Sequence, residues 1–141
     1  VGSSVVNALS THMIAEVVKN GELYRIEFER GGTKVPFKKV GKTDRVNGTT
    51  ITFYPDPTIF KETVTFDYKW VVDYLRHQAY LTKGVYVGVV DRRTNKRAAF
   101  YFEGGIQSYV KHLNIGKDVL TDTIFYVEKQ VEDSMVEVAV Q

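Results

Sequence analysis

The sequence predicts an α+β fold on three observations: a tight-turn dipeptide between two strand-like runs, a second hairpin pattern further on, and helical apolar spacing between them. Of 141 residues, 43% are hydrophobic and 26% charged, the balance of a chain that buries a core and not of a disordered one. That length suits one ordinary domain, or a domain with the beginning of a second.

Taken in order, Gly2 to Ser10 has serines able to cap a helix start and apolar residues at Val5, Val6, Ala8 and Leu9, which predicts a short helix. Met13 to Lys19 and Glu22 to Glu29 are strand-like runs joined by Asn20-Gly21, a pair that tolerates the positive φ of a hairpin turn. In the second run Tyr24, Ile26 and Phe28 alternate with Leu23, Arg25, Glu27 and Glu29, so one face is expected buried and the other wet. Gly31-Gly32 ends it, and the basic stretch Lys34, Lys38, Lys39 and Lys42 reads as a solvated segment leading to a polar loop at Thr43 to Gly48. Thr49 to Tyr54 is β-branched and aromatic, a strand stopped by Pro55-Asp56-Pro57.

From Phe66 to Leu81, the apolar positions Phe66, Trp70, Val71, Tyr74, Leu75 and Ala79 predict an amphipathic helix lying on a sheet and ending before Gly84. Val85 to Asp91 and Arg97 to Phe102 flank a turn at Arg93 to Lys96, giving the second hairpin. Glu103-Gly104-Gly105 breaks the pattern and is the expected domain boundary. Ile106, Tyr109, Val110 and Leu113 mark another helix, and Thr123 to Lys129 and Met135 to Val140 two further strands. With no initiator methionine before Val1 and no turn after the strand ending at Gln141, both ends read as cuts.

The net charge of +2 is too small to argue for a nucleic-acid surface. The lack of cysteine removes disulfides, thiolate metal sites and cysteine nucleophiles, and fits a reducing cytoplasm. No run of 18 apolar residues and no basic-then-apolar leader occurs, so neither a membrane span nor a signal peptide is expected. His12, His77 and His112 are too scattered for a metal spacing, and Asp67, Asp73, Asp91 and Glu103 read as solvated or capping carboxylates. Val1-Gly2-Ser3-Ser4, a glycine-led helix start, has the form that presents free N–H groups to phosphate.

Val1-Gly2-Ser3-Ser4-Val5-Val6-Asn7-Ala8-Leu9-Ser10 resembles, almost throughout, the glycine-rich lid and following helix of the ATPase subunits of DNA gyrase and topoisomerase IV. Further matches follow in order: Asn20-Gly21, Gly48-Thr49, Pro55-Asp56 with Ile59-Phe60, Gly104-Gly105-Ile106, and Val136 to Gln141. The resemblance implies a mixed sheet with helices on one face, the ATP-binding fold shared by gyrase, Hsp90 chaperones and histidine kinases. It assigns residues 1–104 to the second half of the ATPase domain and 105–141 to the first elements of a transducer domain.

For the site, the resemblance implies ATP with Mg2+ as cofactors. Val1, Gly2 and the adjoining Ser3 take the lid's phosphate-contacting role, Thr49 the threonine beside adenine, and Ile51 an apolar place on the pocket floor. Lys19 stands where the family usually has arginine, at the pocket mouth where coumarin drugs are held, and a lysine lacks the planar fork of guanidinium. The family's catalytic glutamate and magnesium-binding asparagine lie before Val1, and its γ-phosphate lysine after Gln141, so neither catalytic residues nor metal ligands are expected here. Without them, this polypeptide alone is expected not to hydrolyse ATP.

The implied partners are DNA through the intact enzyme, the DNA-cleaving A subunit, and a second ATPase subunit that dimerises on ATP binding. Between the paralogues, Phe28 to Gly32, Lys38 to Gly41 and Gly116 to Leu120 look closer to the ATPase subunit of topoisomerase IV than to that of gyrase. The reading from another class is a non-enzymatic α+β module for nucleic acid or protein, with Tyr24, Tyr54 or Tyr101 stacking on a partner.

Overall fold

In the computed structural model, which describes residues 1–141, Asn20 and Gly21 take φ of +53° and +75°, turning β1 (Ser10–Lys19) into β2 (Glu22–Glu29). The φ > 0 requirement of a two-residue hairpin is met by the two residue types that bear it at least cost. The chain divides by its contacts into Val1–Thr65 and Phe66–Gln141.

In the first unit, α1 (Gly2–Ala8) leads into β1, and β3 (Gly32–Lys42) and β4 (Gly48–Pro55) complete a four-stranded antiparallel sheet of order β3-β2-β1-β4. β3 corrects one part of the sequence reading: the lysine-rich stretch, read as a solvated loop, is exposed as expected but runs as a strand. Its lysines, glycines and Pro36 depress strand propensity, yet an outer strand with an irregular register, as here against β2, tolerates all of them.

The join between α1 and the sheet is a closed set of backbone bonds. Ser10 Oγ donates to Val6 O (2.6 Å), Arg30 N to Ser10 O (3.1 Å) and Asp56 N to Leu9 O (3.0 Å). Both Ser10 and Asp56 are buried. Asp56 is 1% exposed and satisfied by Arg30 Nε (2.7 Å), Thr58 N (2.9 Å) and Thr58 Oγ1 (2.7 Å). These bonds hold its carboxyl down at about 2, the Arg30 guanidinium contributing most.

The second unit holds α2 (Tyr68–Leu81), the hairpin β5 (Val87–Asp91) and β6 (Lys96–Phe100), α3 (Ile106–Leu113), and the hairpin β7 (Phe125–Val131) and β8 (Ser134–Val140). Asp67 caps α2, accepting from Trp70 N at 2.7 Å. Asp91 holds its turn by accepting from Arg93 N and Nε, both at 2.9 Å, which keeps that carboxyl well below its ordinary range.

The inward face of α2 differs from the expected stripe. Val72, Ala79 and Tyr80 are buried, whereas Trp70 is 65% exposed and stacks on Tyr74, which is exposed too. Apolar residues occupy so much of this helix that periodicity does not choose a face. Tyr80 chooses it, stacking on Phe102 at 3.8 Å and meeting Tyr109 at 5.0 Å. Only Met13, Val18, Val72, Ala79 and Tyr80 are buried hydrophobic side chains, so both units leave apolar faces uncovered.

Candidate functional site

Strand register assembles the face of the first sheet that carries Lys19, Thr49 and Ile51. Val17 pairs with Thr49, Ala15 with Ile51 and Met13 with Phe53 on one side of β1; the same three pair with Tyr24, Ile26 and Phe28 on the other. Because alternate residues share a face, Thr49 and Ile51 stand with the β2 aromatics, and Lys19 joins them at the end of β1. Ile51 is 48% exposed, and Phe53 is exposed too.

The opposite face carries the charges. Arg25 reaches Glu27 (2.9 Å) and Glu16 (3.5 Å), His12 Nε2 lies 3.3 Å from Glu27, and Arg45 reaches Glu16 (3.1 Å) and Thr50 (3.1 Å). Glu16 and Glu27 are largely screened from water by these neighbours. The expectation of one buried and one wet face on β2 is not met: Glu22 to Phe28 are half-buried on both faces, Met13 is buried on the apolar side, and β4 is exposed along most of its length.

A short loop, residues 43–47, ties down the hairpin end of the sheet. In the Asn20-Gly21 turn, the Asn20 N–H and Gly21 C=O point away from the ladder. Asn47 Oδ1 accepts from that N–H (2.9 Å), and Thr43 N donates to that carbonyl (2.9 Å). Arg45 N donates to Thr43 Oγ1 (3.2 Å), stiffening the loop from within. Sequence reading missed Thr43, Arg45 and Asn47. No local signal marks them, since the partner of Asn47 lies 27 residues away.

Val1, Gly2 and Ser3 are exposed at the start of α1. No side chain caps this helix, and its first returning bond is Val5 N to Val1 O (3.0 Å), so the intervening amides face outward. A methyl group at Gly2 would meet nothing within 4 Å, leaving room for a ligand against the backbone. The structure thus brings Lys19, Thr49 and Ile51 together, while no hydrogen bond joins Val1, Gly2 or Ser3 to them.

Elsewhere, a groove of about 500 Å³ between α3 and residues 121–124 is lined by Gln107, Ser108, Lys111 and Asp122, and by none of the candidate site residues Val1, Gly2, Ser3, Lys19, Thr49 and Ile51. Tyr24 stacks on Phe37 at 5.6 Å and donates to Glu22 (2.7 Å), so it is already engaged, while Tyr54 and Tyr101 are exposed. No helix is long and apolar enough to cross a membrane.

An antiparallel sheet of order β3-β2-β1-β4, exposed along β4 and entered from a short glycine-led helix, has a solved counterpart. The 43K ATPase domain of Thermus thermophilus gyrase B, in complex with an aminocoumarin, matches 98% of this chain with a TM-score of 0.87 and 38% identity, and the chain covers 38% of it. No protein-family profile matches the chain. Among curated proteins, the gyrase B polypeptide is 44% identical in Streptococcus pyogenes, 42% in Enterococcus faecalis and 41% in Halalkalibacterium halodurans, each across the whole chain. The chain spans 22% of the length of these relatives. It is homologous throughout to part of the ATPase subunit of bacterial type IIA DNA topoisomerases. The preference for topoisomerase IV drawn from Phe28 to Gly32, Lys38 to Gly41 and Gly116 to Leu120 finds no support in these relatives, which lean to gyrase.

Proposed function

We propose that this chain forms part of the ATP-binding and dimerisation region of an ATP-dependent type II DNA topoisomerase of the gyrase branch. The observation that carries the reading is the convergence of Lys19, Thr49 and Ile51, all three exposed, on one sheet face, in a chain 44% identical to a gyrase B polypeptide. On this reading Thr49 stands beside adenine, Ile51 floors the pocket, Lys19 forms its rim, and the outward amides of Val1, Gly2 and Ser3 meet the triphosphate. Bound Mg2+ would offset phosphate charge, with its ligand and the general base contributed from outside these residues. Residues 1–104 belong to the ATPase domain and 105–141 begin the transducer. The intact protein acts in the cytoplasm with the DNA-cleaving A subunit, passing DNA through a gate that two ATPase subunits close.

The test uses the intact subunit carrying this chain, titrated with a non-hydrolysable ATP analogue and Mg2+ while thermal unfolding is followed. Saturation at a hundredfold over Kd is expected to stabilise it by about 2.7 kcal/mol, and Ile51→Lys to remove the shift. An unshifted wild-type subunit would refute the nucleotide site. Reconstitution tests the branch: ATP-dependent change of plasmid linking number is expected with gyrase's A subunit, and activity only with that of topoisomerase IV would reverse the assignment.

A further inference from the structure

We propose that Asn47 is a positioning residue for ligands that reach the mouth of the site, with Arg45 supporting it, because the 43–47 loop locks the hairpin turn that carries Lys19 to the strand that carries Thr49. The inference rests on the nucleotide-site reading and extends it to a residue that contacts no ligand.

A two-residue turn leaves the N–H and C=O groups of both its residues outside the ladder, free to water unless another segment takes them. Here the 43–47 loop takes two of the four, the Asn20 N–H through Asn47 Oδ1 and the Gly21 C=O through Thr43 N. The loop leaves the sheet at Lys42, paired with Glu22, and re-enters at Gly48, paired with Val18. It therefore binds the tip of the β1–β2 hairpin to the first residues of β4. Arg45 fixes its middle by spanning Glu16 and Thr50 on two different strands. Without the Asn47 bond the turn beyond the Val18–Gly48 pair would keep only the Thr43 link to the loop, and Lys19 at the end of β1 would pivot against β4. Lys19 is the last residue of β1 and Thr49 the second of β4, so this pivot changes the separation across the rim. A nucleotide held at Thr49 and Ile51 tolerates the change, whereas a ligand that engages Lys19 and Thr49 together does not.

The experiment compares wild-type, Asn47→Ala and Asn47→Asp forms of the intact subunit for affinity to an aminocoumarin and to a non-hydrolysable ATP analogue, with hydrogen exchange read at the Asn20 amide. Asn47→Ala is expected to weaken the aminocoumarin about threefold to tenfold, the worth of one hydrogen bond, with a smaller change for the nucleotide. Asn20 exchange should quicken, and the melting temperature should move by less than about 2 °C because the bond is exposed. Asn47→Asp, whose carboxylate still accepts from Asn20 N–H, should restore both affinity and protection. Unchanged aminocoumarin affinity in Asn47→Ala overturns the proposal, as does an equal loss for both ligands that aspartate does not rescue. A wild-type subunit that binds neither ligand overturns the nucleotide-site reading itself, an outcome seen before any variant is made.

Discussion

Acidification provides a direct test of the junction at which α1 is fastened to the sheet. Asp56 accepts three hydrogen bonds, from Arg30 and twice from Thr58, and its carboxyl is held at about 2 against an ordinary 3.8. A group whose folded pKa is depressed contributes stability that is complete above its unfolded pKa and is lost as pH falls through the folded one. The window is therefore pH 3.8 down to about 2. Near pH 3 the unfolded carboxyl is mostly protonated and the folded one mostly ionised, so unfolding takes up about 0.8 proton at this site. Asp56→Asn removes that uptake. Urea unfolding of wild type and variant between pH 2 and 5 should give stability curves whose slopes differ by this amount near pH 3 and converge above pH 5. A carboxyl titration of Asp56 followed by NMR supplies the midpoint directly. Titration at or above 3.8, or identical slopes for the two proteins, would refute the reasoning.

Three further outcomes follow from packing, backbone and charge. Val18, 3% exposed in the central strand β1, loses two methyl groups in Val18→Ala, at a cost of about 2 kcal/mol by urea denaturation; a loss below about 0.5 kcal/mol would mean the site is not closed. Gly105 precedes α3 at φ +52° and ψ −125°, where a Cβ would lie 3.4 Å from Lys83 Cβ, so Gly105→Ala should cost about 1–3 kcal/mol. At Gly104 the corresponding 2.6 Å clash is with the Ser108 hydroxyl, and adding Ser108→Ala should recover most of the Gly104→Ala loss; failure of that rescue would place the strain in the backbone. Lys19→Arg, by offering a planar fork at the rim, should tighten aminocoumarin binding about tenfold while leaving nucleotide affinity unchanged, as competitive titration would reveal.

Local chemistry made the hairpin at Asn20-Gly21 legible, as it did the strand from Thr49 and the cap at Asp67, because each is specified within a few residues. β3 was not legible: its lysines and Pro36 belong to an outer strand, and strand position is a property of the sheet, not of the segment. The face of α2 was misjudged for a related reason, since Tyr80 turns inward to a ring at Phe102 that lies 22 residues on. At the candidate site, Lys19, Thr49 and Ile51 were named from motif matches, and their common face follows from register. The loop residues Thr43, Arg45 and Asn47 act through partners on other strands, which no window along the chain contains.

The two margins of the four-stranded sheet are unlike. β3 is outermost on one side, with Lys34, Lys38, Lys39 and Lys42, a proline and an irregular register; β4 is outermost on the other, uncharged from Gly48 to Pro55. A row of ammonium groups repels an arriving backbone and a mid-strand proline denies it a donor, while the threonines, Ile51 and Phe53 of β4 refuse nothing and its proline stands only at the strand's end. The sheet consequently has a direction of growth: a new strand is admitted beside β4 and turned away beside β3. For anyone handling these residues apart from a larger chain, the β4 margin is where molecules would zip together, and one lysine in place of Thr52 would be the remedy to try.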